Sequence, residues 1–143
     1  MTSMPVAATA IILREGKILL VVEDRDDPRT GKRAGMMSSP AGWIQEGEAS
    51  EQTAQREVLE ETGFSIIIIR YLEDFSVMGH QVSSFLGELI SDECSPSEET
   101  LKVLWMPIDE FLEFPPEQIR PGIREGVCKI LSDLMSQATT VPL

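Results

Sequence analysis

Residues 50–62 run for thirteen positions without glycine or proline, are rich in helix-favouring side chains, and stop at Gly63. A glycine at that point accepts the left-handed backbone that ends a helix, so the stretch reads as a helix with its stop signal attached. Ser50 is placed to cap its first turn, and Glu51 complements the positive end of the helix dipole. At about 100° per residue, Ala54 and Val58, with Leu59 less centrally, share one side. Glu57, Glu60 and Glu61, at i, i+3 and i+4, share another. The helix therefore packs its apolar side on a sheet and presents three carboxylates on a stripe turned outward.

The rest of the chain supplies that sheet. Residues 6–13 and 17–22 are rich in Val, Ile, Leu and Ala, and Arg14-Glu15-Gly16 between them reads as a turn, which together predict a β-hairpin. Residues 64–72 read as a buried strand, 81–90 as another and 102–107 as a third, and residues 91–100 form a polar connection. Ile123, Val127, Ile130, Leu131 and Leu134 recur at helical spacing, predicting a second helix over residues 122–136, with fraying expected from Gln137 to Leu143. Residues 23–39 carry Arg25, Arg29, Lys32 and Arg33 interleaved with Asp24, Asp26 and Asp27, and lack apolar periodicity. They read as a long polar loop, either a lid or phosphate-contacting arm or simply a solvated segment. Strands and helices intermix without a linker or repeat, so the expectation is one mixed α/β domain of 143 residues.

Composition narrows the partners. Twelve Lys and Arg against 24 Asp and Glu give a net charge of -12, which repels a polyphosphate chain such as DNA; no nucleic acid polymer is expected. An anionic small substrate is compatible with such acidity when divalent cations sit between protein and phosphate. Cys94 and Cys128 lack the paired spacing of a zinc or redox motif and read as reduced. No signal-peptide pattern and no apolar run near the roughly 20 residues of a membrane span is visible, so no membrane partner and a cytoplasmic location are expected.

Like charges at i, i+3 and i+4 destabilise a helix by about 0.2–0.5 kcal/mol per pair unless a cation neutralises them. Hard carboxylate oxygens suit Mg²⁺ or Mn²⁺, although three acids alone fit a solvated face as well. Upstream, Pro40-Ala41-Gly42-Trp43 and Gly47-Glu48 form a glycine-containing turn whose backbone can approach a ligand closely, and Glu48 can reach the same cluster. Arg56, beside Glu57 and four residues before Glu60, can hold a carboxylate in position.

Read as one string, Gly42, five residues, Glu48, seven residues and then Arg56-Glu57-Val58-Leu59-Glu60-Glu61-Thr62-Gly63-Phe64 resembles the Nudix box at each of its defining positions, over 23 residues. The resemblance implies the Nudix fold, an α/β/α sandwich around a mixed β-sheet. It implies Mg²⁺, with Mn²⁺ as an alternative, held by Glu57, Glu60 and Glu61, with Arg56 orienting them and Glu48 in the same network. The implied reaction is attack of a metal-activated water on phosphorus of a nucleotide-like small molecule, with Glu57 or Glu60 as the base. Gly42, Trp43 and Glu48 are the candidate substrate-binding residues. Motifs that mark the ADP-ribose, dinucleoside polyphosphate and coenzyme A subgroups are missing, which leaves nucleoside di- and triphosphates by elimination. A non-catalytic nucleotide-binding module is the alternative. Dimers are common among similar proteins, so a homodimer is compatible with the sequence.

Outside the box, Glu98 and Glu99 are candidates for an additional base, with an acidic surface loop as the plainer reading. His80, the sole histidine, lies between two predicted strands and reads more readily as incidental than as a base. Trp43, Phe75 and Trp105 could stack on a nucleobase, with core packing the default for the last two. Arg120 and Arg124 could approach a phosphate, with a solvated helix end as the plainer reading.

Overall fold

The structure, a computed structural model, describes residues 4–140, with side chains through Gln137. The chain forms strands β1 (Ala7–Arg14), β2 (Lys17–Val22), β3 (Met37–Ser38) and β4 (Ala41–Trp43), then helix α1 (Ser50–Thr62). Strands β5 (Ile66–Val77), β6 (His80–Leu89) and β7 (Lys102–Pro107) follow, and helices α2 (Ile108–Glu113) and α3 (Ile123–Thr140) complete it, with a short 3₁₀ turn at Pro116–Gln118 before α3. Fraying is thus not seen up to Thr140, and residues 141–143 lie outside the described residues. No described helix is long and apolar enough to cross a membrane.

The sheet is mixed, running β3-β2-β1-β6-β5, with β4 paired to β1 and β7 to β2. β1 organises it. At its C-terminal end it joins β2 through Leu13↔Ile18 and Arg14↔Lys17. The turn is the pair Glu15-Gly16, both at positive φ (52° and 75°), which matches the strands' twist. Along its length β1 pairs in parallel with β6, from Ala7↔Val82 to Ile12↔Gly87, and at its start antiparallel with β4.

Successive strand residues point to opposite faces, so β1 and β2 feed two cores at once. Ala8, Ala10, Ile12 and Leu19 join Ala54 and Val58 of α1. Ile11, Ile18 and Leu20 join Ile123, Val127, Ile130 and Leu131 of α3. The result is helix, sheet, helix, the sandwich the sequence predicted. Val58 is completely buried, worth about 1.5–3 kcal/mol relative to exposure.

Two expectations are corrected. The isoleucine-rich run is not a buried strand: β5 extends to Val77, pairs only with β6 at the sheet edge, and leaves Ile67 and Ile69 about half exposed. Four consecutive isoleucines in a strand alternate by geometry, so Ile66 and Ile68 face α1 and their neighbours face out. Residues 23–39 are a folded arm. Asp26 accepts from the Ala34 N–H, Asp27 and Lys32 form a β-bridge, and Met36, Met37, Ser38 and Ser39 are buried at its end.

Candidate active site: an acidic cleft beside a basic recess

The cap position of α1 falls on Ala49 rather than Ser50, and the Ala49 N–H donates to the Gln52 side chain at 2.8 Å, while Glu48 just before it ties the helix to the loop. The Glu48 carboxylate accepts from the Gln45 N–H (3.1 Å) and the Thr53 hydroxyl (2.6 Å), pinning the first turn to the approach loop. It also accepts the fork of Arg56, from Nε at 2.8 Å and Nη2 at 3.0 Å. The Arg56 guanidinium and the Thr53 hydroxyl together pull the Glu48 carboxyl down to about 2. Gly63 ends the helix at φ 81°, donating back to the Leu59 carbonyl, as the sequence predicted. Ala54 and Val58 are buried as expected, but Leu59 is exposed.

Arg56 then spans the acidic stripe, reaching Glu57 at 2.7 Å, Glu60 at 3.2 Å and the Trp43 carbonyl at 3.0 Å. One cation thus gathers Glu48, Glu57 and Glu60. The stripe is not wholly outward: Glu61 turns inward, is 9% exposed, and accepts from the Ala41 N–H of β4 at 3.2 Å. Loss of water raises the Glu57 carboxyl, Arg56 opposing the shift and Glu60 adding to it. Glu61 is pushed well above the ordinary carboxylate range, first by burial and then by the charges of Glu57 and Glu23. Gly42 makes this crowding feasible, because a Cβ there would overlap the Glu57 carboxylate.

The three glutamates open on a cleft whose other walls bring in Glu23, Lys32, Glu98 and Glu99. Glu98 and Glu99, suggested by the sequence, do reach the site. Glu23 is 5% exposed, with Lys32 at 3.7 Å; it was missed, since a single acid at the end of a strand has no local signal. Among the described residues no three His, Cys, Asp or Glu side chains already converge as a closed metal cage, and Arg56 stands between Glu57 and Glu60. The donor set nevertheless suits a hard divalent cation. Its oxygens are all carboxylate oxygens, and two of the carboxylates, Glu57 and Glu61, carry negative charge that the surroundings under-compensate.

Across β4 lies a second, mostly apolar recess of about 440 Å³, counting the part open to solvent. Ala7, Val77, Val82 and Ile123 wall it, and Trp43 meets His80 edge-on at 4.9 Å at its rim. Trp43 and His80, separate candidates in the sequence, are therefore one feature. Lys32 lines both the recess and the acidic cleft. Arg120 is corrected from a solvated helix end to a 93% buried side chain (7% exposed), whose Nε donates to the Thr30 carbonyl at 2.8 Å. Phe75 and Trp105 pack against the two cores; Arg124 does not line the recess, and it is not solvated as expected either, since it is half-buried with its Nε sealed and without a partner among the described residues.

The NUDIX domain family model matches residues 4–129. The chain is 39% identical over 137 residues to the NAD-capped RNA hydrolase NudC of Mannheimia succiniciproducens, covering 90% of this chain and 51% of that protein. It thus spans about half the length of the curated relatives it matches. A NUDIX hydrolase from Nitrosomonas europaea superposes with a TM-score of 0.71 at 24% identity, covering 94% of this chain and 90% of that one. An ADP-ribose pyrophosphatase from Streptococcus suis does so at 0.65 and 22%, covering 96% and 92%, and both share the fold. With the box, the sandwich and the family match in agreement, this chain belongs to the NUDIX family of hydrolases, enzymes that act on pyrophosphate bonds.

Proposed function

We propose that this chain hydrolyses a phosphoanhydride bond in a nucleoside diphosphate derivative or a nucleoside di- or triphosphate, using a divalent cation, Mg²⁺ or Mn²⁺, held by Glu57, Glu60 and Glu61. The observation that carries it is the crowding of these carboxylates on one cleft, two of them with their charge disfavoured by burial. Bound there, the cation would neutralise that charge, draw the phosphate oxygens in and supply an activated water.

The protein's own groups do the rest. Arg56 and Glu48 form a brace that fixes the helix to the approach loop and holds Glu57 and Glu60 in register. Glu57 or Glu60 takes the proton of the attacking water, and Glu98 or Glu99 faces the same space from the opposite wall. Gly42 lets the backbone of β4 approach the phosphates, and Lys32, between cleft and recess, is placed to meet a phosphate's negative charge. Trp43 at the rim offers a face for a base.

The names of the relatives widen the substrates worth testing. An NAD cap and ADP-ribose both hold a pyrophosphate between two larger groups, which agrees with a nucleoside diphosphate linked to another moiety. The test is release of phosphate, pyrophosphate or nucleoside monophosphate with Mg²⁺ from nucleoside di- and triphosphates, ADP-ribose, NAD, dinucleoside polyphosphates and NAD-capped RNA. Metal-dependent turnover that falls by about 10²–10⁴ in Glu60→Gln supports the hydrolase. Tight metal-dependent binding without turnover on any of them favours a nucleotide-binding module instead.

A further inference from the structure

In a chain with twice as many acids as bases, the recess across β4 is lined, among the described residues, by two cations, Lys32 and Arg120, and by no carboxylate. Lys32 has a partner in Glu23. Arg120 has none of that kind: among the described residues its only side-chain hydrogen bond is from Nε to the Thr30 carbonyl, and it forms no ion pair. Arg120 lines the recess, and its terminal nitrogens, unlike the buried Nε of Arg124, keep some exposure. A guanidinium taken almost wholly out of water with the four N–H donors of its two terminal nitrogens unused is costly unless something else accepts from them. Glu23, Glu61 and Asp27 act on it only at longer range, and burial shifts its pKa down.

With Nε already committed, the free end of Arg120 is a flat fork in which one N–H from each terminal nitrogen runs parallel to the other. The walls around it are apolar, with Trp43 and His80 at the rim. A flat ring fits such walls better than a phosphate does. We propose that Arg120 is a specificity-determining residue that reads a nucleobase edge bearing two adjacent acceptors, guanine O6 and N7 or cytosine N3 and O2, in the recess between β4 and α3. Adenine places an amino donor beside N7 and uracil separates its carbonyls with an N–H, so neither satisfies the fork. Lys32, common to recess and cleft, marks the way from the base to the phosphates. The inference rests on the proposed nucleotide reading of the acidic cleft, and it selects among nucleotides by the base.

Calorimetry with nucleoside monophosphates in Mg²⁺ tests it without requiring turnover, because they contain no phosphoanhydride bond; GMP, CMP, AMP, UMP and ribose 5-phosphate are the probes. The expected result is that GMP or CMP binds the intact protein about tenfold or more tightly than AMP or UMP, with ribose 5-phosphate weakest. Arg120→Gln should lose that preference and move it toward AMP, because an amide pairs with adenine N6 and N7. Arg120→Lys should keep the charge and weaken the preference without reversing it, because an ammonium still donates to adjacent acceptors but lacks the planar fork. If Arg120 variants do not fold, the ranking for the intact protein still decides. The proposal is overturned if AMP binds as well as GMP and CMP, if ribose 5-phosphate alone binds as tightly as either, or if a folded Arg120→Gln keeps the original ranking. A clear base preference in a protein that hydrolyses no substrate would leave this reading standing while the hydrolase reading fell.

Discussion

The two sides of β4 are built in opposite ways. On one side, Glu57, Glu60 and Glu61 come from a single helix, braced by Arg56 of the same helix and Glu48 just before it. On the other, Ala7, Lys32, Trp43, His80 and Arg120 come from five separate stretches of chain. The first arrangement is fixed by helical periodicity and survives wherever the helix goes. The second exists only when the sheet, the arm of residues 23–39 and the start of α3 are all docked. On the proposed reading, the shared chemistry sits on one short segment, while selectivity is distributed over the fold.

The largest effect that would test this division is on the helix side. Glu57→Gln should lower kcat by about 10²–10⁴ without lowering Tm, because it removes a buried charge and keeps the shape. A fall in Tm with unchanged kcat would make Glu57 a structural residue and break the comparison.

Gly42→Ala should come next, with kcat reduced by about 10²-fold, because the added methyl displaces the Glu57 carboxylate while leaving the recess on the far side of β4 nearly intact. Titration of base-containing ligands against this variant would show whether the two sides are separable; equal damage to both would mean that they are not.

The pH dependence of metal-free Tm is a smaller and sharper probe. Glu57 and Glu61 are raised above the usual 4.5, so their contribution to stability is full below 4.5 and is lost as pH climbs through their raised values. Glu48, held at about 2, contributes the opposite way: its stabilisation is present above 4.5 and is lost as pH falls toward 2. Tm in the absence of metal should therefore peak in mild acid and decline toward pH 8, and Mg²⁺ should restore more at pH 8 than at pH 5.5. Glu61→Gln should flatten the alkaline decline; a decline of undiminished slope would place its origin elsewhere.

The smallest effect is expected from Ile69→Thr. The side chain is 47% exposed on the edge strand, away from both sides of the site, so stability should change by no more than about 0.5 kcal/mol and turnover not at all. A large loss, or a change in oligomeric state by sedimentation, would show that this strand is covered in solution.

Much of the fold was readable because its elements carry local signatures. The helix at residues 50–62, its glycine stop, the first hairpin and the strand at Lys102–Pro107 all follow from period, propensity and turn chemistry. β3 was read as part of the polar loop and β4 as a glycine-containing turn, because they are only two and three residues long, with no room for a period to show. The burial of β5 was misread because four isoleucines look alike in composition, while strand geometry sends alternate ones outward and only the sheet order makes β5 an edge. At the site, Glu98 and Glu99 looked like a surface loop, and only the folded arrangement brings them to face α1.

By itself the sequence determined the chemistry-bearing stripe: a 3.6-residue repeat, a glycine before it and a glycine after it place three carboxylates and an arginine together whatever surrounds them. Tertiary structure alone decided which of those acids lose their water, that Glu23 and Lys32 join them, and that Arg120 ends in an apolar recess. Burial and the pairing of distant charges depend on contacts between residues as far apart as Thr30 and Arg120, and no local pattern encodes a contact across 90 positions.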